Sequence, residues 1–184
     1  MTATYPGTTI EVSALKVGNS KILFDGIFAS GGISLSQVCA MTGLEPYIIQ
    51  NWVRRKFVPP PVKKLYSRAH FSRIIIINML RETLQIDAIC NLIGIIAGNP
   101  DDPTDDLIAD CELYHIFVDM LAEGDINLGD TDSVLSAATK AADGFCSQIA
   151  GAKTKLINIL QVFLYAHASS RLRDSSKEML SRLN

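Results

Sequence analysis

Residues 33–67 read ISLSQVCAMTGLEPYIIQNWVRRKFVPPPVKKLYS and carry two short helix patterns separated by a turn. Ser34, with a glutamine three residues later, has the spacing of a capping box before an apolar run, which starts the first helix. Gly43 supplies left-handed backbone for the turn, and Pro46 suits the first position of the second helix. The pattern predicts a helix-turn-helix over Leu35–Arg55.

The second of these helices has an apolar face and a polar face. Ile49, Trp52 and Val53 recur at helical spacing and form an inward stripe, in which Trp52 is interpreted as a core residue. The outward residues suit DNA, because Gln and Asn amides can bond an adenine edge in the major groove and basic residues at the helix end can neutralise phosphates. The predicted DNA contacts here are Tyr47, Gln50, Asn51, Arg54, Arg55 and Lys56.

Three consecutive prolines, at positions 59–61, follow the second helix. They cannot continue a helix, and they hold the backbone extended. We interpret Val58–Tyr66 as a short basic wing whose Lys63 and Lys64 approach the phosphate backbone and add a salt-sensitive contribution to binding. A plain proline-rich linker is the alternative interpretation.

The charges are segregated along the chain, although the net charge is only −2. Residues 46–81 contain eight basic residues and no acidic one, whereas residues 82–132 contain thirteen acidic residues and no Lys or Arg. A polyanion would be attracted to the first segment and repelled by the second, so the net charge does not exclude nucleic-acid binding through one face. A merely solvated basic face is the alternative.

Composition and spacing also bear on other classes of protein. Hydrophobic residues make up 48% of the 184 positions and charged residues 20%, which indicates a folded chain. No apolar run is as long as a membrane helix, and the start of the sequence lacks a secretory signal pattern, so we expect a cytoplasmic protein without a membrane partner. We expect the four cysteines to be free, buried and hydrophobic in character.

The sequence offers little for catalysis or for a cofactor. It has no phosphate-binding loop, and its three histidines are scattered, so we expect neither enzymatic activity nor a bound cofactor. Cys111, His115 and Asp119 share one helical face at a spacing that could hold a metal, but such trios usually belong to the core. We therefore predict no metal site.

Two further helices are predicted after the wing, at Ser67–Arg81 and Ile86–Ile96. With them, the order of parts over Ile33–Ala97 resembles the DNA-binding head of MerR-type regulators. It is closer still to an uncharacterised bacterial family with a MerR-like head, through the stretch Pro59–Ser67 and the Ile/Leu-rich helix behind it. The resemblance implies a winged helix-turn-helix and sequence-specific DNA binding, carried by Gln50, Asn51, Arg54, Lys63, Lys64, Tyr66 and Arg68. It implies no ligand.

The sequence departs from the MerR pattern in three places. The wing is short and lacks the Gly-Tyr-Arg hairpin, and Asn51 stands where an aromatic residue is common. Arg68, Ala69 and His70 replace the acidic residues that follow the wing serine in that family. We expect this last change to weaken the helix cap and to add positive charge facing DNA.

The remaining segments flank this head. Residues 1–32 are interpreted as a loose leader followed by one short helix, without an assigned function. The breaker cluster Asn99–Pro103 marks a boundary, which divides the chain into a DNA-binding domain at 1–99 and a helical domain at 100–184. A helix is predicted from Thr104–Asp106 to about Glu123.

Apolar and small residues alternate at spacings of three and four over Leu135–Ala166. This heptad seam predicts helix-on-helix packing, either between subunits or inside a local bundle, with Gly144 and Gly151 as points where the helix can break. We favour homodimerisation through Leu135–Ala166. A cavity between these helices could hold an unidentified small-molecule effector.

Together the patterns predict an all-α fold: a winged helix-turn-helix (MerR-like) head with a minimal β wing, followed by a C-terminal helical bundle or coiled coil. The predicted function is that of a sequence-specific regulator of transcription that binds double-stranded DNA as a homodimer. The alternative is a helical protein–protein interaction module whose helix-turn-helix is only a scaffold.

Overall fold

The computed structural model describes residues 3–98 and 106–183. Within these ranges the chain forms eight helices and one pair of short antiparallel strands, which confirms the all-α class. The elements follow in the order β1 (Ala3–Thr4), β2 (Glu11–Val12), α1 (Asn19–Ile27), α2 (Leu35–Thr42), α3 (Pro46–Arg54), α4 (Arg68–Leu80), α5 (Ile86–Ala97), α6 (Asp110–Glu123), α7 (Thr131–Ala141) and α8 (Ala152–Ser181).

The fold is organised around α4, which packs against α2, α6 and α8. Eight of its thirteen residues are buried, among them four consecutive isoleucines at positions 74–77. A surface helix would expose one face, whereas this one is apolar nearly all round, as expected of a helix enclosed by its neighbours. Its predicted start is confirmed, since Ser67 caps it.

The two halves of the chain share one hydrophobic core. The predicted boundary between residues 1–99 and 100–184 falls at positions outside the described residues, as does the predicted helix start at Thr104. On either side of that stretch, α4 and α6 pack directly on each other. The described residues 106–109 are not helical, since the Leu107 N–H donates to the Ile96 carbonyl at 2.8 Å, so the helix begins at Asp110, later than predicted, and ends at Glu123, where its end was predicted. Each half therefore covers apolar surface of the other.

The N-terminal segment is folded, contrary to the expectation of a loose leader. Its β1–β2 hairpin lies on the core, where the Tyr114 hydroxyl donates to the Pro6 carbonyl at 2.9 Å and the Asn78 amide donates to the Gly7 carbonyl at 2.9 Å. Gly7 has φ +71°, and a Cβ there would lie 2.1 Å from the Ile75 carbonyl oxygen. Only glycine fits this approach of one backbone to another.

The heptad seam over residues 135–166 is divided between two helices that pack on each other within one chain. Helix α7 ends at Ala141, and α8 begins after Gly151, whose φ is +72°. The seam comprises ten apolar or small residues, of which Leu135, Phe145 and Ile149 are not buried. The other seven are buried in the chain's own core: Ala138, Ala142, Ala152, Leu156, Ile159, Phe163 and Ala166. The buried part of the seam thus packs within the chain's own helices, which is the second of the two alternatives. Homodimerisation stays a prediction.

Two smaller expectations concern exposure. Cys146 is exposed and Cys39, Cys90 and Cys111 are half-buried, so the prediction of four buried cysteines is wrong; all four are free. No helix in the described part of the chain combines the length and the apolar character that crossing a bilayer requires.

Candidate nucleic-acid interface

Helices α2 and α3 and the three residues between them form the unit predicted from the opening stretch. Ser34 accepts from the Gln37 backbone N–H at 3.3 Å, while the Ser34 N–H donates to Gln37 Oε1 at 2.8 Å, which completes the capping box. Gly43 ends α2 with φ 69°, and Pro46 occupies the first turn of α3. These local signals are confirmed.

Helix α3 has one buried and one exposed face. Ile49 is fully buried and Trp52 is 5% exposed, so the interpretation of Trp52 as a core residue is confirmed. On the opposite side Tyr47 is 68% exposed, and Gln50 and Arg54 are also exposed. Within the described structure, the outer face of α3 is open to solvent over its whole length.

Helix α3 ends in a Schellman motif that places a lysine in a left-handed conformation. The Phe57 N–H donates to the Trp52 carbonyl at 2.9 Å, and the Lys56 N–H donates to the Val53 carbonyl at 3.0 Å. Lys56 has φ 62°, a region that glycine or asparagine usually occupies at this position. The bonds to Trp52 also fix the direction in which the proline segment leaves the helix.

The segment interpreted as a wing contains a tight hairpin, whose turn residues the sequence pattern did not identify. Val62 and Leu65 exchange backbone hydrogen bonds of 3.0 and 2.9 Å, and the two residues between them are Lys63, at φ 49°, and Lys64, at φ 66°. Two consecutive left-handed residues are typical of a type I′ turn, which favours Asn-Gly. Because lysines are atypical of such a turn, the turn was not recognised from the sequence. The position of the two lysines between two apolar residues was nevertheless a usable signal.

The hairpin is held beside the start of α2. Ile33 and Tyr66 exchange backbone hydrogen bonds of 2.9 and 2.7 Å, and a Cβ on Gly32 would lie 2.8 Å from the Leu65 Cβ. Tyr66 was predicted to contact DNA, but its side chain is 3% exposed and its ring packs edge-on to His70. Tyr66 therefore anchors the hairpin in the core rather than extending from it.

Two arginines near the end of α3 are oriented by neighbouring side chains. Arg54 Nη2 donates to Asn51 Oδ1 at 2.7 Å, and the Arg55 guanidinium lies 4.5 Å from the centre of the Phe57 ring. A bidentate contact to adenine uses both the oxygen and the nitrogen of an amide. Because the Asn51 oxygen is engaged, the half-buried Asn51 is better suited to orienting Arg54 than to base contact.

The basic interval at 46–81 does not form one cationic face. Arg68 pairs with Asp25 at 2.7 Å, and Arg73 pairs with Asp110 at 2.7 Å, where the side chains are only 15% and 9% exposed. Burial raises the pKa of Asp110, and the adjacent guanidinium opposes that rise. Arg81 lies 3.9 Å from Glu82, and within the described ranges no ion pair involves the remaining five cations of the interval: Arg54, Arg55, Lys56, Lys63 and Lys64.

The residues after Ser67 were expected to weaken the cap of α4, but they complete a capping box. His70 Nδ1 lies 3.1 Å from the Ser67 backbone nitrogen, and the His70 N–H donates to Ser67 Oγ at 3.4 Å. His70 thus takes the part that glutamate or glutamine usually takes in a capping box. Since Arg68 is turned toward Asp25, it adds less free positive charge here than its sequence position suggested.

Of the trio Cys111, His115 and Asp119, the last two contact the N-terminal segment. His115 Nδ1 lies 2.9 Å from Ser20 Oγ, and Asp119 accepts from the Gly18 backbone N–H at 2.8 Å. Burial lowers the pKa of His115 to about 4, so this side chain is neutral at pH 7. In the described part of the chain no three His, Cys, Asp or Glu residues are grouped as metal ligands.

Comparison with known proteins gives one family. A model described as "Domain of unknown function (DUF1836)" matches residues 33–117, from the residue that pairs with Tyr66 to the middle of α6. No curated protein and no solved structure matches the chain. The match crosses the predicted boundary at 99/100, in keeping with the core shared by α4 and α6. Residues 33–117 are therefore similar to an uncharacterised domain family, as the sequence indicated.

Proposed function

We propose that the chain is a sequence-specific regulator of transcription that binds double-stranded DNA through α3 and the hairpin at residues 62–65. The observation that carries the proposal is the backbone of Lys56, Lys63 and Lys64. They are three of the four non-glycine residues with positive φ in the described structure, and all three are exposed. A left-handed non-glycine residue costs about 1 kcal/mol or more, so a cation at each of these positions suggests a use for its charge.

The position of the hairpin supports a joint surface with α3. The segment between them is tied to α3 at Trp52 and to the start of α2 at Ile33, so it runs along the two-helix unit rather than away from it. A winged helix-turn-helix has the same order of parts, with a recognition helix in the major groove and a wing on the neighbouring phosphates. Lys63 and Lys64 at the tip would contact those phosphates.

Helix α3 offers separate residues for specificity and for affinity. Gln50 is exposed at the middle of the outer face, where its amide can pair with an adenine edge. Arg54, Arg55 and Lys56 follow at the helix end, where they can neutralise phosphates. Asn51 holds Arg54 at 2.7 Å and so contributes through its neighbour.

The salt dependence of DNA binding tests the electrostatic part. Lys63→Asn combined with Lys64→Gly removes two charges while keeping a sequence that favours the turn. We expect the plot of log K against log salt to become shallower by about 0.9 for each phosphate that the variant no longer neutralises. Lys155→Ala with Lys177→Ala removes the same charge from α8 and should leave the slope unchanged. Binding that is absent, or that does not respond to salt, would overturn the proposal.

Gln50→Ala tests the direct reading of bases. Selection of bound genomic fragments by sequencing first gives the operator, and binding to the operator is then compared with binding to random duplex. We expect the variant to lose roughly 1–3 kcal/mol of discrimination while random-duplex affinity stays the same. A variant with the wild-type preference would show that α3 does not lie in the groove as proposed.

The alternative function, a protein–protein interaction module, has its own observation. Near the end of α8, apolar side chains are exposed at Leu172, Met179, Leu180 and Leu183.

If the regulator is a homodimer, this outer face is a better candidate for the subunit contact than the buried seam at 135–166. Leu172→Glu with Met179→Glu should then convert a dimer to a monomer in sedimentation equilibrium, and a protein that is monomeric throughout would remove the dimer from the proposal.

A further inference from the structure

A cavity of about 710 Å³ lies beside the proposed DNA-binding surface. Among the described residues, its walls come from the end of α3, from residues 57–60, from Arg73 of α4, from α5 and from Gly98 and Asp106. The volume falls within the range of roughly 300–1,000 Å³ that is usual for small-molecule sites. It is formed within the head and is separate from the α7–α8 region, where the sequence had suggested room for an effector.

The wall of this cavity combines apolar and charged residues. Phe57, Val58 and Ile93 supply apolar surface, together with the bare backbone of Gly94 in the middle of α5. Of the charged residues that line it, Asp106 is the one acid among those the structure describes, against three cations. Arg73 is offset by Asp110, whereas Arg54 and Lys56 have no ion pair with a described residue.

We propose that this cavity binds a small amphipathic anion, with an apolar body against Phe57 and Ile93 and a carboxylate near Arg54 and Lys56. A charge-assisted hydrogen bond to either cation would orient the acid group, and the apolar wall would bury the hydrocarbon part. Lys56 is held in place for this role, because the Schellman motif fixes the backbone of this lining residue.

The position of the cavity gives the ligand a means of regulating DNA binding, and this second step rests on the proposed function. Arg54 and Lys56 line the cavity and also belong to the proposed phosphate contacts. A carboxylate bound between them would occupy donors that the phosphates need. Ligand and DNA should therefore weaken each other's binding by the same factor, as thermodynamic linkage requires.

Gly94 offers a way to fill the cavity without disturbing the core. A Cβ added at Gly94 meets nothing within 4 Å, so Gly94→Leu places a side chain in open space and also raises helix propensity. Gly26 in α1 is equally open and does not line the cavity, which makes Gly26→Leu the matched control. Lys56→Gly removes one cation while suiting the left-handed backbone at that position.

The experiment is titration calorimetry of the full chain with decanoate, kept below its micelle concentration, and with decanol as the uncharged probe. We expect decanoate to bind with the wild type and with Gly26→Leu, and to lose measurable binding with Gly94→Leu. Lys56→Gly should weaken decanoate about tenfold, the effect of losing one charge-assisted hydrogen bond.

The outcomes separate this inference from the proposed function. No decanoate binding, or equal binding by Gly94→Leu, would overturn the cavity as a site, and equal binding of decanol would overturn the anion. Binding to a random DNA duplex at low salt is then measured with and without decanoate. A chain that binds decanoate as expected but never binds duplex would refute the proposed function alone, and duplex binding that decanoate does not weaken would refute the coupling.

Discussion

Basic side chains occur both on the surface that follows α3 and in helix α4, but the first extend into solvent and the second turns into the protein. Lys56, Lys63 and Lys64 extend into solvent from left-handed backbone, whereas Arg73 turns inward onto Asp110. In the sequence these residues belong to one acid-free interval, and the partner of Arg73 lies 37 positions away. The difference shows that tertiary contacts, and not local composition, decide which charges a partner can reach.

Loss of the inward cation should have the largest effect. Arg73→Ala leaves the Asp110 carboxylate without its partner in a site where the side chain is 9% exposed, so we expect a loss of about 3 kcal/mol in the free energy of unfolding. Urea denaturation measures this loss of stability. The double variant Arg73→Met with Asp110→Leu should recover most of that loss, because it removes both charges and keeps apolar volume.

His115 and His167 become cations inside the fold when they are protonated. Their protonation therefore tests the same difference between inward and outward charges. Burial lowers the pKa values of His115 and His167 to about 4, from 6.5 when unfolded. Because the unfolded chain takes up protons first as the pH falls, stability should be constant above pH 7 and decline between about pH 6.5 and 4. At pH 4.5 each histidine should cost on the order of 2 kcal/mol.

Denaturation at several pH values checks this decline. His115→Gln and His167→Gln should each make the pH dependence shallower, and the double variant should remove most of the decline over this window. A decline that stays the same in the double variant would assign the acid sensitivity to other groups.

Replacing the exposed lysines of the hairpin should raise the stability of the protein, whereas replacing Arg73 should lower it. Lys63→Asn with Lys64→Gly replaces two strained residues by those that a type I′ turn favours, so we expect stability to rise by about 1 kcal/mol. The same variant should bind DNA more weakly. If thermal denaturation showed a loss of stability instead, the lysines would be structural and the proposed use of their charge would lose its support.

Replacing Arg68 should cause the smallest change in the free energy of unfolding. Its bond to Asp25 has the same 2.7 Å length as the Arg73 pair, but the two side chains are 39% and 67% exposed. Solvent screens such a pair, so Arg68→Ala should cost only about 0.5 kcal/mol in urea denaturation. A loss as large as that of Arg73→Ala would mean that burial is not what distinguishes the two pairs.

Signals that act over three to five residues were predicted well from the sequence. Ser34 and Ser67 cap their helices, Gly43 and Pro46 frame the turn, and the burial of Trp52 follows from helical spacing. Each of these depends on hydrogen bonds or periodicity within one element. No distant part of the chain is needed to establish them.

Features that depend on distant contacts could not be predicted in this way. Asp25 and Asp110 neutralise cations 43 and 37 positions away, and a buried tyrosine at position 66 looks the same in sequence as an exposed one. The seam at 135–166 was recognised as a packing surface, but periodicity does not say whether the partner helix belongs to the same chain. The hairpin was missed because its lysines are atypical of the turn they form.

The contacts of the N-terminal segment bear on how the protein can be cut. Phe24 stacks on Tyr114 at 5.6 Å and lies at the same distance from Phe71, so these aromatic rings are covered from outside the matched region 33–117. A fragment that started at Ile33 would leave both rings facing water. Such a fragment should aggregate on expression, so residues 33–117 cannot be expected to behave as an autonomous unit in this chain.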